Sequence, residues 1–119
     1  MQRHQSFIES IWEQRSNLEA TAELGKIIQS ILDALGRGEL RIAEKIDDTW
    51  IVHQWLKKVV LLSFRTRLNQ VKGKDIPWFD KVPLKFQDWE HNHFHEAGIR
   101  VVPGALVRES AYIGRDVVL

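Results

Sequence analysis

Over its first third the chain places apolar and polar residues with the spacing of helices. Phe7, Ile8, Ile11 and Trp12 share one side of a helical turn, with Glu9, Glu13, Gln14 and Arg15 around the other, which predicts an amphipathic helix. Ser16 and Glu19 stand at capping-box spacing and predict that a second helix begins there. Its apolar stripe is Leu24, Ile27, Ile28, Ile31, Leu32 and Leu35, and Gly36 and Gly38 supply the stop, because glycine accepts the left-handed conformation that closes a helix. Two helices with a short connection predict a helical hairpin packed on something else.

After Gly38 the period changes. Leu40, Ile42 and Ala43 lead to Asp47 and Asp48, followed by Trp50, Ile51 and Val52, which predicts two short strands around an acidic turn. From Gln54 the helical period returns with Trp55, Leu56, Val59, Val60 and Leu62. Residues 69–78 hold Gly73 and Pro77 among polar residues and read as a loop. Residues 79–86 contain Pro83, which predicts an irregular or edge segment. Residues 88–97 suit a last short helix ended by Gly98.

Residues 101–119 then repeat with a period of six: V-V-P-G-A-L, V-R-E-S-A-Y, I-G-R-D-V-V, and Leu119. Val101, Val107, Ile113 and Leu119 head the units, and Ala105, Ala111 and Val117 follow four positions later. Hexapeptide periodicity marks a parallel β-helix, whose coils bury their apolar face only against stacked neighbours. Pro103, Gly104 and Gly114 would suit ordinary hairpin turns equally well, and the alternative is a pair of short strands closing a small α/β domain. On the β-helix reading these residues make one three-sided coil, the front end of something longer. That coil alone leaves Val107, Ile113, Val117 and Leu119 uncovered, so the chain is expected to be disordered beyond about Val102 or to associate through this region. The expected architecture is α/β: a small N-terminal α/β domain over 1–98, leading at 99–119 into the first, truncated coil.

Composition narrows the function without naming one. The 119 residues are 44% hydrophobic and 28% charged, as in globular chains, and the net charge of +1 gives no footprint for nucleic acid or a membrane surface. With no cysteine there are no disulfides, thiol nucleophiles or thiolate metal sites. The N-terminus lacks the apolar core of a signal peptide, and no run approaches the ~20 apolar residues of a membrane span. The expectation is a cytoplasmic protein with no membrane or nucleic-acid partner.

Candidate chemistry is sparse. His91, His93 and His95 would share a face in a strand, whereas in a helix only His91 and His95 meet. No carboxylate or cysteine pattern completes a zinc set beside them, so an exposed polar helix is expected and no metal. Trp12 and Trp55 sit on helical stripes and suit the core; Trp78 and Trp89 suit packing, a pocket wall or a subunit contact. No nucleophilic triad, phosphate-binding glycine loop or paired-carboxylate site is present, and no catalytic residue is assigned.

Three blocks together resemble the tetrahydrodipicolinate N-succinyltransferases. They are L-R-I-A-E-K-I-D-D-T-W-I-V-H-Q-W-L-K-K-V-V-L-L-S-F-R at 40–65, F-D-K-V-P-L-K-F at 79–86, and G-I-R-V-V-P-G-A-L-V-R at 98–108, running on through A-Y-I-G-R-D-V-V-L. The resemblance implies a trimeric enzyme of lysine and diaminopimelate synthesis, with an α/β N-terminal domain and a left-handed β-helix. It would move a succinyl group from the acyl donor succinyl-CoA to the amino group of a ring-opened dicarboxylate, at a site between β-helices of adjacent subunits. The chain matches the N-terminal domain and about one coil, so by itself it is expected to be inactive. The alternative is a non-catalytic relic or interaction module that reuses the same cap. The arginine of the family's G-x-R-V-V-P block is a substrate contact and falls here on Arg100. A guanidinium suits a carboxylate through two parallel charge-assisted hydrogen bonds, although an arginine paired with a nearby acid would also sit at such a junction. Arg108 is the secondary candidate.

Overall fold

The structure is a computed structural model that describes residues 2–119. Three helices form the main layer: α1 (Gln2–Glu13), α2 (Ala22–Gly36) and α3 (Gln54–Arg65). α3 packs against both α1 and α2, so the predicted helical hairpin becomes a three-helix layer with α3 in the middle. The cause is the stripe on α3, where Trp55, Leu56, Val59 and Leu62 join Ile8 of α1 and Leu24, Ile28, Ile31, Leu32 and Leu35 of α2 in one buried cluster. Ser63 is the one buried polar side chain among the described residues, and its hydroxyl donates to the Val60 carbonyl one turn back, at 2.6 Å.

The start of α2 lies five residues later than the Ser16–Glu19 spacing predicts. The chain leaves α1 through a single 3₁₀ turn at Arg15–Asn17, and Thr21 caps α2 by accepting from the Leu24 amide at 3.1 Å. Thr21 suits the role because it precedes the stripe directly, with Glu23 in the first turn facing the positive end of the helix dipole. At the other end Gly36 is still helical and Arg37 caps α2, so of the two expected stop glycines only Gly38 turns left-handed, at φ 75° against the ring of Tyr112.

Strands β1 (Ala43–Ile46) and β2 (Thr49–Val52) pair antiparallel across Asp47 and Asp48, both at positive φ. That is the two-residue turn whose twist matches the strands it joins. The hairpin stands clear of the core, with Trp50 68% exposed. A second hairpin occupies the predicted loop: β3 (Gln70–Lys72) pairs with β4 (Trp78–Asp80). Three-residue strands are too short to show alternation, which is why the pattern reads as a loop. Gly73 is required there, because it has φ 82° and the Trp78 ring stands 2.4 Å from where a Cβ would be.

Helix α4 (His91–Ala97) starts three residues later than expected and closes, as predicted, on Gly98 in the left-handed conformation. Phe86, Trp89 and Phe94 pack ring to ring beneath it, with centroids 4.8 to 5.4 Å apart. Beyond Gly98 the chain makes one circuit and returns beside itself. Arg100 pairs in parallel with Val118, eighteen residues later, which is three units of six. The Arg100 amide donates to Val117 O, the Leu119 amide to Arg100 O, and the Val102 amide to Leu119 O, at 2.8 to 3.1 Å. A hairpin turned at Pro103-Gly104 would instead pair residues close in sequence and antiparallel. Val107, expected to lie uncovered, is 9% exposed. The 84–85 segment covers it through a bridge from Leu84 to Arg108 and a bond from the Lys85 amide to Val107 O.

Candidate functional site at the start of the coil

Two sets of contacts fix the C-terminal segment to the helical layer. Arg67, just past α3, places Nη1 2.6 Å from Glu109 Oε1 and donates from Nη2 to Gln29 Oε1 at 2.5 Å. Gln29 in turn donates to Asp33 and, at 3.3 Å, to Glu109. Both charged side chains are largely buried, and Arg67 Nη1 and Glu109 Oε1 meet as a close charge contact rather than an aligned hydrogen bond. Lys85 reaches the Gly36 carbonyl from the other side, at 3.0 Å. Burial holds the Lys85 ammonium below its ordinary pKa, since the charged form loses water there.

With its frame held in this way, Arg100 sits where α4 gives way to the C-terminal circuit. Its backbone is committed to the parallel pairing, while its exposed side chain makes no ion pair among the described residues. The expected alternative, a structural pairing with an acid, is therefore taken by Arg67 and Glu109 instead. Arg100 lines an open depression of about 540 Å³ with His91, Phe94, His95, Arg115 and Asp116. A second depression on its other flank, about 530 Å³, is walled by Phe86, Ile99, Val101 and Val102. An exposed guanidinium beside two open depressions is free to meet an anion there.

The three histidines separate by role. His91 and His95 meet as the helical reading predicts, with stacked rings 6.1 Å apart on the rim of the Arg100 depression. His93 faces elsewhere: its Nδ1 accepts from the Glu90 amide at 2.8 Å and its ring stacks on Trp89. Among the described residues no three histidine or carboxylate side chains converge as a metal set. Arg108 is not brought to Arg100. It lies 3.8 Å from Asp80 and over the Phe64 ring, bound to the helical layer. Arg115, unassigned from sequence, does share the depression; its only sequence signal is its place in the third hexapeptide, meaningful once a circuit of eighteen is known.

A model of the family described as tetrahydrodipicolinate N-succinyltransferase N-terminal matches residues 3–66. Curated relatives named 2,3,4,5-tetrahydropyridine-2,6-dicarboxylate N-succinyltransferase extend the likeness into the C-terminal segment. The protein from Paramagnetospirillum magneticum is 52% identical over 118 residues, 94% of this chain and 42% of the relative. That from Bordetella pertussis is 50% identical over 119 residues, covering 97% and 44%. That from Shigella boydii is 46% identical over 123 aligned positions, covering 100% and 45%. The chain thus spans less than half the length of these relatives. The family match covers the three-helix layer from α1 to the end of α3, and the chain belongs to the tetrahydrodipicolinate N-succinyltransferase N-terminal family.

Proposed function

We propose that this chain supplies the N-terminal domain, residues 1–98, and the first coil, residues 99–119, of a succinyl-CoA-dependent N-succinyltransferase. Its acceptor is tetrahydrodipicolinate in its ring-opened amine form, in cytoplasmic lysine and diaminopimelate synthesis. The amine forms a bond to the thioester carbonyl carbon, the C–S bond breaks, and the CoA thiol leaves with the proton given up by nitrogen. The observation that carries this reading is identity near one half with relatives of that name along nearly the whole chain. The eighteen-residue parallel pairing supports a β-helix coil at 99–119, and we take that coil as left-handed and the assembly as a homotrimer. Arg100 holds a carboxylate of the acceptor, a reading supported by its exposed guanidinium, which makes no ion pair among the described residues. We assign no catalytic residue within this chain and place the acyl donor on other coils.

A chimera tests this. Residues 1–119 are joined to the remaining length of the Bordetella pertussis relative, and thiol release from succinyl-CoA is followed as acceptor is added. The expected result is acceptor-dependent release, with Arg100→Ala lowering kcat/KM for the acceptor about ten- to a hundredfold, the worth of a charge-assisted contact, while KM for succinyl-CoA holds. A folded chimera that transfers nothing contradicts the proposal.

A further inference from the structure

The depression around Arg100 contains a second guanidinium that is held in place more firmly than the first. Arg115 lies flat across Gly98: a Cβ at that glycine would stand 2.9 Å from Arg115 Cγ and 3.0 Å from Cζ. Arg115 Nη1 donates to the Glu96 carbonyl at 2.9 Å. Gly98 therefore does two jobs, ending α4 at φ 65° and leaving room for the arginine stem. The turn that carries Arg115 is fixed as well, because the Asp116 amide donates to Gly98 O at 2.8 Å. Arg100 is bonded to the neighbouring Val117 and Leu119 backbone. Backbone hydrogen bonds thus fix the two segments that carry Arg100 and Arg115 to one another.

One of the five N–H donors of Arg115 is used by Glu96. Asp116 is the one carboxylate on the lining, against two guanidiniums. Two like charges on a shared wall are relieved by an anion with two negative ends, and a monoanion relieves only one of them.

We propose that Arg115 is a specificity-determining residue that holds the second carboxylate of a dicarboxylate whose first is held by Arg100. This rests on the reading of Arg100 given above. It makes the depression selective for compounds with two carboxylates over those with one.

The test is an NMR titration of the full chain, in metal-free buffer, with pyridine-2,6-dicarboxylate and with pyridine-2-carboxylate. The wild-type chain is expected to prefer the dicarboxylate about fivefold, the scale of one exposed charge pair. Arg115→Gln keeps an N–H for Glu96 O and part of the stem over Gly98 but removes the charge. It should abolish the preference while leaving monocarboxylate affinity and melting temperature unchanged. Arg115→Lys, a point charge without the fork, should retain part of the preference. Arg100→Ala should weaken both ligands. If Arg115→Gln keeps the full preference while Arg100→Ala loses binding, Arg115 is only a clamp on α4 and the inference is overturned. If Arg100→Ala changes neither ligand, or the wild type binds neither, the reading of Arg100 itself falls and the inference with it.

Discussion

The helical layer and the C-terminal circuit are held together by different physics. In the layer, ten apolar side chains from three helices share one buried cluster, and non-directional burial supplies the stability. In the circuit Val107 is the one buried apolar side chain, while Val102, Leu106, Tyr112 and Val118 are exposed. Its shape rests on four backbone bonds between chain segments about eighteen residues apart, and on the Arg67–Glu109 and Lys85–Gly36 ties to the layer. A region held by few directional contacts opens more readily than a packed core. The same arrangement leaves Arg100 and Arg115 facing solvent, where a ligand can meet them.

The contrast is broken most severely in the layer. Leu62 is fully buried between helices, so Leu62→Ala is expected to cost about 2–5 kcal/mol in urea unfolding, from lost transfer energy and the cavity left behind. A cost below about 1 kcal/mol would mean that the layer is not packed as described. Next comes the tie between the regions. Glu109→Ala strands the largely buried Arg67 charge and is expected to cost about 1.5–3 kcal/mol. Hydrogen exchange should show this opening first at the Lys85 and Glu109 amides, which join the 83–85 segment to the circuit beside Glu109, and later at the interior of α2.

A smaller effect reports on Lys85. Its pKa is lowered in the folded chain by burial, so the unfolded chain binds more protons between that lowered value and the ordinary 10.5. Stability contributed by this group therefore rises as pH climbs through that window and is flat below it. Lys85→Gln should flatten the rise, read as the difference between the two stability–pH curves; parallel curves would place Lys85 in water. Smallest is Arg100→Ala, expected to change stability by no more than about 0.5 kcal/mol because the side chain supports nothing in the fold. A large drop in melting temperature would make Arg100 a structural residue.

The two regions were also unequally legible in the sequence. The stripes of α2 and α3 span several turns each, long enough for the helical period to stand out, and they gave most of the buried cluster, with Ile27 and Val60 lying partly buried at its edge. The hexapeptide period likewise foretold the eighteen-residue return of the chain. Short elements were hidden: β3 and β4 have three residues each, and α2 is capped by Thr21 although Ser16 offered an equally good local signal. Local capping chemistry cannot choose between two candidates when tertiary burial of Leu24 decides. At the candidate site, Arg100 came from a family block, whereas Arg115 lies inside the hexapeptide pattern and the continuation of that block but was singled out by neither. Its nearness to Gly98 depends on the circuit closing, which no window of neighbouring residues contains.

That closure is the point on which the site depends, and its strand direction can be measured. In a two-dimensional NOE spectrum of the chain, the parallel pairing expects cross-peaks between the Arg100 and Val118 strands, with Leu119 and Val102 amides protected from exchange. Cross-peaks between residues 101–102 and 105–107 in an antiparallel pattern, with the Leu119 amide exchanging freely, would replace the circuit with a hairpin at Pro103-Gly104 and remove the shared depression of Arg100 and Arg115.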